Sequence, residues 1–309
     1  MKSRDENLIK VAIYYYEEKK TQTEIAKELG ISRPTVSKML NEAIEKNIVK
    51  ITVHPHLYDN HKLRQEILDK YALESVIVVN STGSSNATKS EIGQACAYFV
   101  EEKLPDLRTL GIGWGTTVYE FVNAAHYSNC PQLSIIPLMG GVSLSEVAHH
   151  SNHLAVTIAQ KYRAQSHLLY APAIAETIEV KNALVNSHVV QCILSKGRNV
   201  DLAIIGVGNP MESLTYRDMG YITKKEEKSI IEEQAIGDLL ATFYDKEGNT
   251  VETSLSQRMI GHDLNDVRRM KEVVILANGE EKAISIKALL KLEIIDHLII
   301  DTEIAQALV

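Results

Sequence analysis

The sequence predicts an α/β protein in two parts: an N-terminal helix-turn-helix (winged) domain over residues 1–54 and a large doubly wound parallel-sheet domain over 55–309. Three observations carry this reading. From Leu57 onward, short apolar runs alternate with helical stretches, as strands do when crossover helices cover both faces of their sheet. The first fifty residues instead show helical periodicity, caps and a single β-rich run. Finally, a chain of 309 residues that is 45% hydrophobic can bury one large core and one small one.

In the head, Leu8, Val11, Ala12 and Tyr15 recur at helical spacing and give a first helix one apolar face. Thr21 and Glu24 have the form of a capping box that opens a second helix running to Leu29. Gly30 supplies the left-handed turn, Ser32 caps a third helix, and Pro34 costs no hydrogen bond in its first turn. The β-rich run 48–53 follows as a wing, and His54-Pro55-His56 breaks it as a linker. Ile25, Ala26, Leu29, Ile31, Val36, Met39 and Leu40 face inward and close a small core. Arg33, Thr35, Ser37 and Lys38 are left exposed at the start of the third helix. A recognition helix presents such positions to the major groove, where Arg pairs with guanine and Thr touches a thymine methyl. A helical scaffold whose polar face does nothing is the bland alternative. The tight turn and the lack of any acid between Arg33 and Glu42 count against it.

Charge agrees with this division. The net charge is −7, but residues 1–54 carry ten Lys/Arg against eight Asp/Glu while the remainder is at −9. Nucleic-acid contact is therefore expected from the head alone. No run approaches the roughly 18 apolar residues of a membrane helix, and no apolar leader follows the charged N-terminus, so a cytoplasmic protein with no membrane partner is expected. Cys96, Cys130 and Cys192 have neither metal-site nor disulfide spacing and are expected to be reduced and buried.

In the large domain, strands are predicted at 75–79, 110–113, 133–138, 168–171, 202–206, 273–276 and 298–301, and helices at 87–103, 117–125, 151–162 and 281–291. The stretch from Tyr244 to Asn249 reads as the turn of an inserted hairpin. Gly111-Ile-Gly-Trp-Gly-Thr-Thr117 follows a strand and opens a helix, where backbone N–H groups and two hydroxyls can face an anion such as phosphate. Its G-x-G-x-G spacing fails the dinucleotide fingerprint, and no GxxxxGK[ST] is present. Two further glycine loops, at 138–143 and 206–210, also end strands, and three such loops point to a ligand site.

Enzyme readings lack parts: there is no GxSxG elbow and no HExxH. His149, His150 and His153 lie at metal-like spacing, but only Glu146 stands near them, and no metal or other cofactor is expected. Asp238 and Lys282 are isolated charges that either reach a ligand or form an ordinary ion pair.

Taken in order, TQTEIAKELGISRPTVSKML, GIGWGTT, PLMGGVS, HHSNHLA, YAPAI, AIIGVGNP, AIGDLLATFYD and DTEIAQALV resemble the SorC family of sugar-binding transcriptional regulators over essentially the whole chain. That group includes deoxyribonucleoside-responsive members. The resemblance implies a large domain like the sugar-phosphate isomerases and deaminases without their catalysis. It further implies a phosphorylated sugar as inducer, repression of a carbohydrate catabolic operon, and a homodimer or homotetramer on a pseudo-palindromic operator DNA. It puts the phosphate loop on Gly113, Gly115, Thr116 and Thr117, a second effector loop on Gly140 and Gly141, and a sugar-side lysine on Lys282. Asn152 falls in the His-Ser-Asn segment common in related members, where it is expected to meet sugar hydroxyls, and Asp238 matches a Gly-Asp pair of the family whose role the resemblance does not specify. Where deoxyribonucleoside-responsive members carry a lysine before the Gly-Gly pair, this chain has Met139, so an imine-linked ligand is not expected and the effector is expected to be held non-covalently. Two alternatives stay open at this stage: a sugar-phosphate isomerase or deaminase with a DNA-binding head, and a constitutive DNA-binding oligomer.

Overall fold

The computed structural model describes residues 2–49, 60–141, 147–210 and 223–309. The chain separates into two compact units, Met1–Pro55 and His56–Val309. In the first, α1 (Lys2–Ala12) runs into one turn of π-helix, Ile13–Glu17, and is followed by α2 (Gln22–Leu29) and α3 (Arg33–Glu45). The capping box forms as the sequence predicts, with Thr21 and Glu24 satisfying each other's backbone N–H, and Gly30 takes φ +64° at the end of α2. Ser32 accepts from the Thr35 N–H to start α3. Val11, Ile25, Ala26, Val36 and Leu40 form the core, flanked by Tyr14, Tyr15, Leu29, Ile31 and Met39. The wing expected at 48–53 lies outside the described residues from Lys50 onward. Ile48 and Val49 both donate to the Ala43 carbonyl and close the end of α3 rather than starting a strand.

Among the described residues, the second unit is built on seven parallel strands. Given in chain order they are β1 (Ser75–Val79), β2 (Thr109–Ile112), β3 (Ser134–Pro137), β4 (Gln165–Ser166), β5 (Leu202–Gly208), then, after a three-stranded insertion, β9 (Val273–Ala277) and β10 (His297–Asp301). Their spatial order is β1-β10-β9-β5-β2-β3-β4. The insertion, β6 (Gly237–Leu239), β7 (Thr242–Tyr244) and β8 (Thr250–Val251), extends antiparallel from the end of β5. Asp245 accepts from the backbone of Glu247 and Asn249, forming the predicted hairpin turn.

Successive strand residues enter opposite cores, because side chains alternate across a sheet. Along β9, Val273, Ile275 and Ala277 join one core while Val274 and Leu276 join the other; along β5, Ala203 and Ile205 alternate likewise with Leu202 and Ile204. Burying each such aliphatic side chain contributes roughly 1.5–3 kcal/mol, so the register of a strand buried on both sides is fixed by its own sequence. One face is covered by α5 (Ser85–Lys103), α6 (Thr116–Ala124) and α7 (Ser151–Tyr162). The other is covered by α4 (His61–Lys70), α8 (His188–Gly197), α9 (Ala283–Lys291) and α10 (Thr302–Leu308).

One predicted strand fails. Residues 168–171 leave the sheet after the two-residue β4, because Asn152 of α7 holds Leu169 by both backbone groups and Pro172 follows. Cys192 also departs from expectation in being exposed, whereas Cys96 and Cys130 are buried.

The position of α6 depends on Gly93 of α5. A Cβ there would stand 2.4 Å from the backbone carbonyl carbon of Glu120, so α5 and α6 touch backbone to side-chain-free backbone. Gly93→Ala is expected to force the helices apart and cost about 1–3 kcal/mol, the usual range for overpacking. Urea unfolding of the full chain checks this; an unchanged midpoint would mean that the two helices have room.

Candidate functional site

In the small unit, the N-terminal half of α3 carries Arg33, Thr35 and Lys38 on its exposed side and Ser37 half-buried. The Thr35 hydroxyl is 2.7 Å from Ser32 Oγ, which fixes its rotamer. Arg33 shares a groove with Thr21, Gln22 and Thr23 at the start of α2, while Thr35 and Lys38 line a second groove with Arg4 and Asn7. Two helix N-termini with their polar residues thus open on one surface, an arrangement that suits a polyanion. Gln22 and Thr23 were not singled out in the sequence because they read there only as the inside of a capping box.

In the large unit, strand order reverses between β2 and β5. From β2 the chain proceeds through β3 to β4 on one side, then returns to β5 and continues through β9 to β10 on the other. Loops leaving β2 and β5 therefore diverge and open a crevice at the C-terminal rim, where ligands of open α/β sheets bind.

Glycines line this crevice. Gly113 donates to the Ile204 carbonyl at 2.9 Å, and a Cβ on it would approach that oxygen to 3.1 Å. Gly115, at φ +105°, caps α6 without a side chain, so no side-chain oxygen competes for the first N–H groups of the helix. Thr116 is half-buried and Thr117 buried at those first two positions. Gly206 lies under Trp114 and Val118 of the same segment, its missing Cβ 3.5 Å from the Trp114 carbonyl oxygen.

On the far side of β5, Gly208 pairs with Asp238 of β6, and the Asp238 carboxylate fills the space above it, 2.0 Å from where a Cβ would stand. Asn209 then donates to the Glu281 carbonyl at 2.7 Å, tying the end of β5 to the turn that carries Lys282. Burial pushes the Lys282 ammonium below its ordinary range; Glu281, Asp238 and Asp301 oppose that shift, and a second cation, Lys89 of α5, adds to it. Lys89 and Asp238 are thus both within electrostatic reach of Lys282. Lys89 carried no signal in the sequence, since it reads as an ordinary helix-surface lysine.

The second glycine loop joins the same rim through residues 149–150: Gly115 donates to the His149 carbonyl, and Gly141 lies against His150. Its amides are already used, Gly140 donating to Ile260 and Gly141 to Ala171, and a Cβ on Gly140 would meet the Pro172 carbonyl at 2.3 Å. The pair therefore offers close approach rather than free donors; Val142 and Ser143 lie outside the described residues. Asn152 also has work inside the fold, donating to the Leu169 carbonyl and accepting from its N–H at 2.8 and 2.9 Å. Met139 is fully buried with Trp114, Phe243, Leu255 and Met259, in van der Waals contact with Gly261. The three histidines do not converge: His149 meets Tyr119 edge-on, His150 packs at Gly141 and His153 is exposed. No helix among the described residues is long and apolar enough to cross a membrane.

Residues 56–309 match the family described as "Putative sugar-binding domain", and residues 11–56 match the MarR family of helix-turn-helix proteins. The deoxyribonucleoside regulator of Bacillus subtilis is 30% identical over 97% of this chain and 96% of its own length. The sorbitol operon regulator of Klebsiella pneumoniae is likewise 30% identical, over 97% of this chain and 96% of its own. The full-length crystal structure of that regulator, SorC, aligns at a TM-score of 0.79 with 28% identity, covering 98% of each chain. These relatives are transcriptional regulators and not enzymes, which removes the isomerase or deaminase alternative. A sugar-binding-domain match over most of the chain, joined to a helix-turn-helix, makes this protein a DNA-binding transcriptional regulator of the SorC family.

Proposed function

We propose that this regulator represses a carbohydrate catabolic operon in the cytoplasm and is released from its operator by a phosphorylated sugar held non-covalently at the β2/β5 crevice. The observation that carries the effector reading is the side-chain-free start of α6. Gly115 leaves the first N–H groups of that helix uncapped beside two threonine hydroxyls, at the switch point of the sheet. A phosphate there gains the helix dipole and charge-assisted hydrogen bonds. Asp238 and Lys282 stand across β5 for the sugar moiety, with Lys89 as a second cation. Gly140 and Gly141 shape the wall, and Asn152 acts by holding the segment at Leu169, with one amide hydrogen left for a sugar hydroxyl. Full burial of Met139 in an apolar cluster supports non-covalent binding, since a thioether forms no imine.

Operator contact falls in this proposal to Arg33, Thr35, Ser37 and Lys38, and two copies of the head, in a dimer or tetramer, read the two halves of a pseudo-palindrome. Arg33→Ala is expected to cost about 1–3 kcal/mol in operator binding and to relax specificity at one base pair, while Lys38→Ala weakens binding evenly across sequences. Fluorescence anisotropy on operator fragments reads both; undiminished affinity in the two variants would end the assignment.

The effector site has its own check. Changing Thr116 and Thr117 together to Val keeps volume and removes both hydroxyls, each charge-assisted bond being worth about 1.5–3 kcal/mol. The double variant should fold and bind DNA but show no thermal stabilisation by the phosphosugars that stabilise the wild type, and unphosphorylated sugars should stabilise neither. Equal stabilisation of both proteins would make the loop structural.

A further inference from the structure

We infer that Asn278, the residue after β9, binds a hydroxyl of the effector's sugar moiety and thereby selects which phosphosugar the regulator answers. This rests on the crevice being the phosphosugar site. Asn278 is 5% exposed, and its Nδ2 donates to Ser85 Oγ at 3.0 Å, while its Oδ1 is buried with no hydrogen-bond partner. Turning the amide over does not remove the problem: Ser85 would then donate to Oδ1, and the NH2 group would be left over. One polar atom of this side chain therefore lacks a protein partner in either setting. Leaving such an atom unmet in the interior is costly.

Three observations direct that atom into the crevice. Val274 and Leu276 of β9 face the core under α5, α6 and α7; Asn278 continues their alternation and reaches Ser85, the first residue of α5. It thus lies on the sheet face that carries the start of α6. The register of β9 and β5 ends at Gly206 opposite Leu276, and continuing it by two residues would bring Asn278 beside Gly208. Gly208 in turn pairs with Asp238, whose carboxylate occupies the side-chain space above that glycine. On that continuation Asn278, Gly208 and Asp238 follow one another across the rim, with the side-chain-free position in the middle. An amide and a carboxylate on neighbouring strands, facing the helix that would hold phosphate, form a hydrogen-bonding pair for the opposite end of a phosphorylated polyol or aldose. A hydroxyl is the group that fits Asn278, because it satisfies a leftover acceptor by donating and a leftover NH2 by accepting.

The experiment is calorimetric titration of the full chain with inorganic phosphate, ribose 5-phosphate, 2-deoxyribose 5-phosphate, glucitol 6-phosphate and fructose 6-phosphate. Wild-type protein should bind at least one phosphosugar more tightly than phosphate. Asn278→Ala should weaken that phosphosugar about tenfold, the worth of a buried hydrogen bond, and leave inorganic phosphate unchanged. Ser85→Ala, which frees the amide without altering it and disturbs folding least, should weaken the same ligand by a smaller factor and again spare phosphate. If Asn278→Ala retains the wild-type phosphosugar affinity, or loses phosphate in the same proportion, Asn278 is no sugar ligand and this inference is overturned while the crevice reading stands. If wild-type protein binds no phosphosugar better than phosphate, the crevice reading itself is overturned and takes this one with it.

Discussion

A parallel sheet buried on both faces leaves no room for polar chemistry within its body, and that constraint organises the large unit. Strand residues feed two apolar cores by alternation, so charged and hydrogen-bonding groups are driven to the two rims where the strands end. At the C-terminal rim, the approach of α6 to β5 depends on positions without side chains. Gly93 lets α5 admit α6, Gly113 bonds across to Ile204, and Gly206 lies beneath Trp114. A methyl group at Gly93 would push directly on Glu120 of α6, the helix whose N-terminus the sheet's switch point presents to the crevice.

The opposite rim shows what the same residue types do when they satisfy one another. Glu272 at the foot of β9 pairs with Lys103, and His297 Nε2 lies 3.0 Å from the same carboxylate while its Nδ1 meets Ser75 Oγ at 2.9 Å. Burial would raise the Glu272 carboxyl, but Lys103 and His297 hold it below its ordinary value. Glu74 approaches His297 as well, and the Phe99 ring packs against the imidazole with the Lys103 ammonium over it. Acids and cations are matched there, and the cluster ties β1, β9 and β10 to the end of α5. At the crevice burial lowers the Lys282 ammonium and Lys89 adds to that shift, while Glu281, Asp238 and Asp301 oppose it. In the proposed reading an anion at the crevice would relieve the pressure of Lys89 on Lys282, whereas the groups at the opposite rim satisfy one another within the fold.

What was legible in the sequence follows from the range of the forces involved. Caps, turns and amphipathic faces are local, so the head could be read down to the Thr21–Glu24 box and the Gly30 turn, and α7 was placed at its observed bounds. Strands buried on both faces announce themselves as apolar runs, and most were placed to within a residue or two. Residues 168–171 misled because an apolar run does not tell a strand from a loop held by a distant side chain; Asn152 decides the matter from seventeen positions away. The glycine loops were readable as a rim, but not which of their amides were already spent. Lys89 and Asn278 were not readable at all. Their meaning arises from strand register and helix packing, which bring residues from α5, β5, β6 and the end of β9 together and leave no periodic trace in the chain.

Regulation by an effector adds a thermodynamic demand that the site must meet. A ligand loosens a repressor from DNA only if it binds the DNA-free state more tightly than the DNA-bound one, and the factor is the same in both directions. A hundredfold release thus requires about 2.7 kcal/mol of differential binding. For the phosphosugar effector proposed above, phosphate alone would supply affinity with little discrimination, because every phosphosugar carries it. Under that proposal selectivity among sugars would come from the side of the crevice away from α6, where a buried polar group that is met by the right ligand and left unmet by the wrong one separates them by more than an apolar contact would. The carboxylate over Gly208 and the amide beside it are polar groups of that kind, set on strands whose register both cores hold fixed.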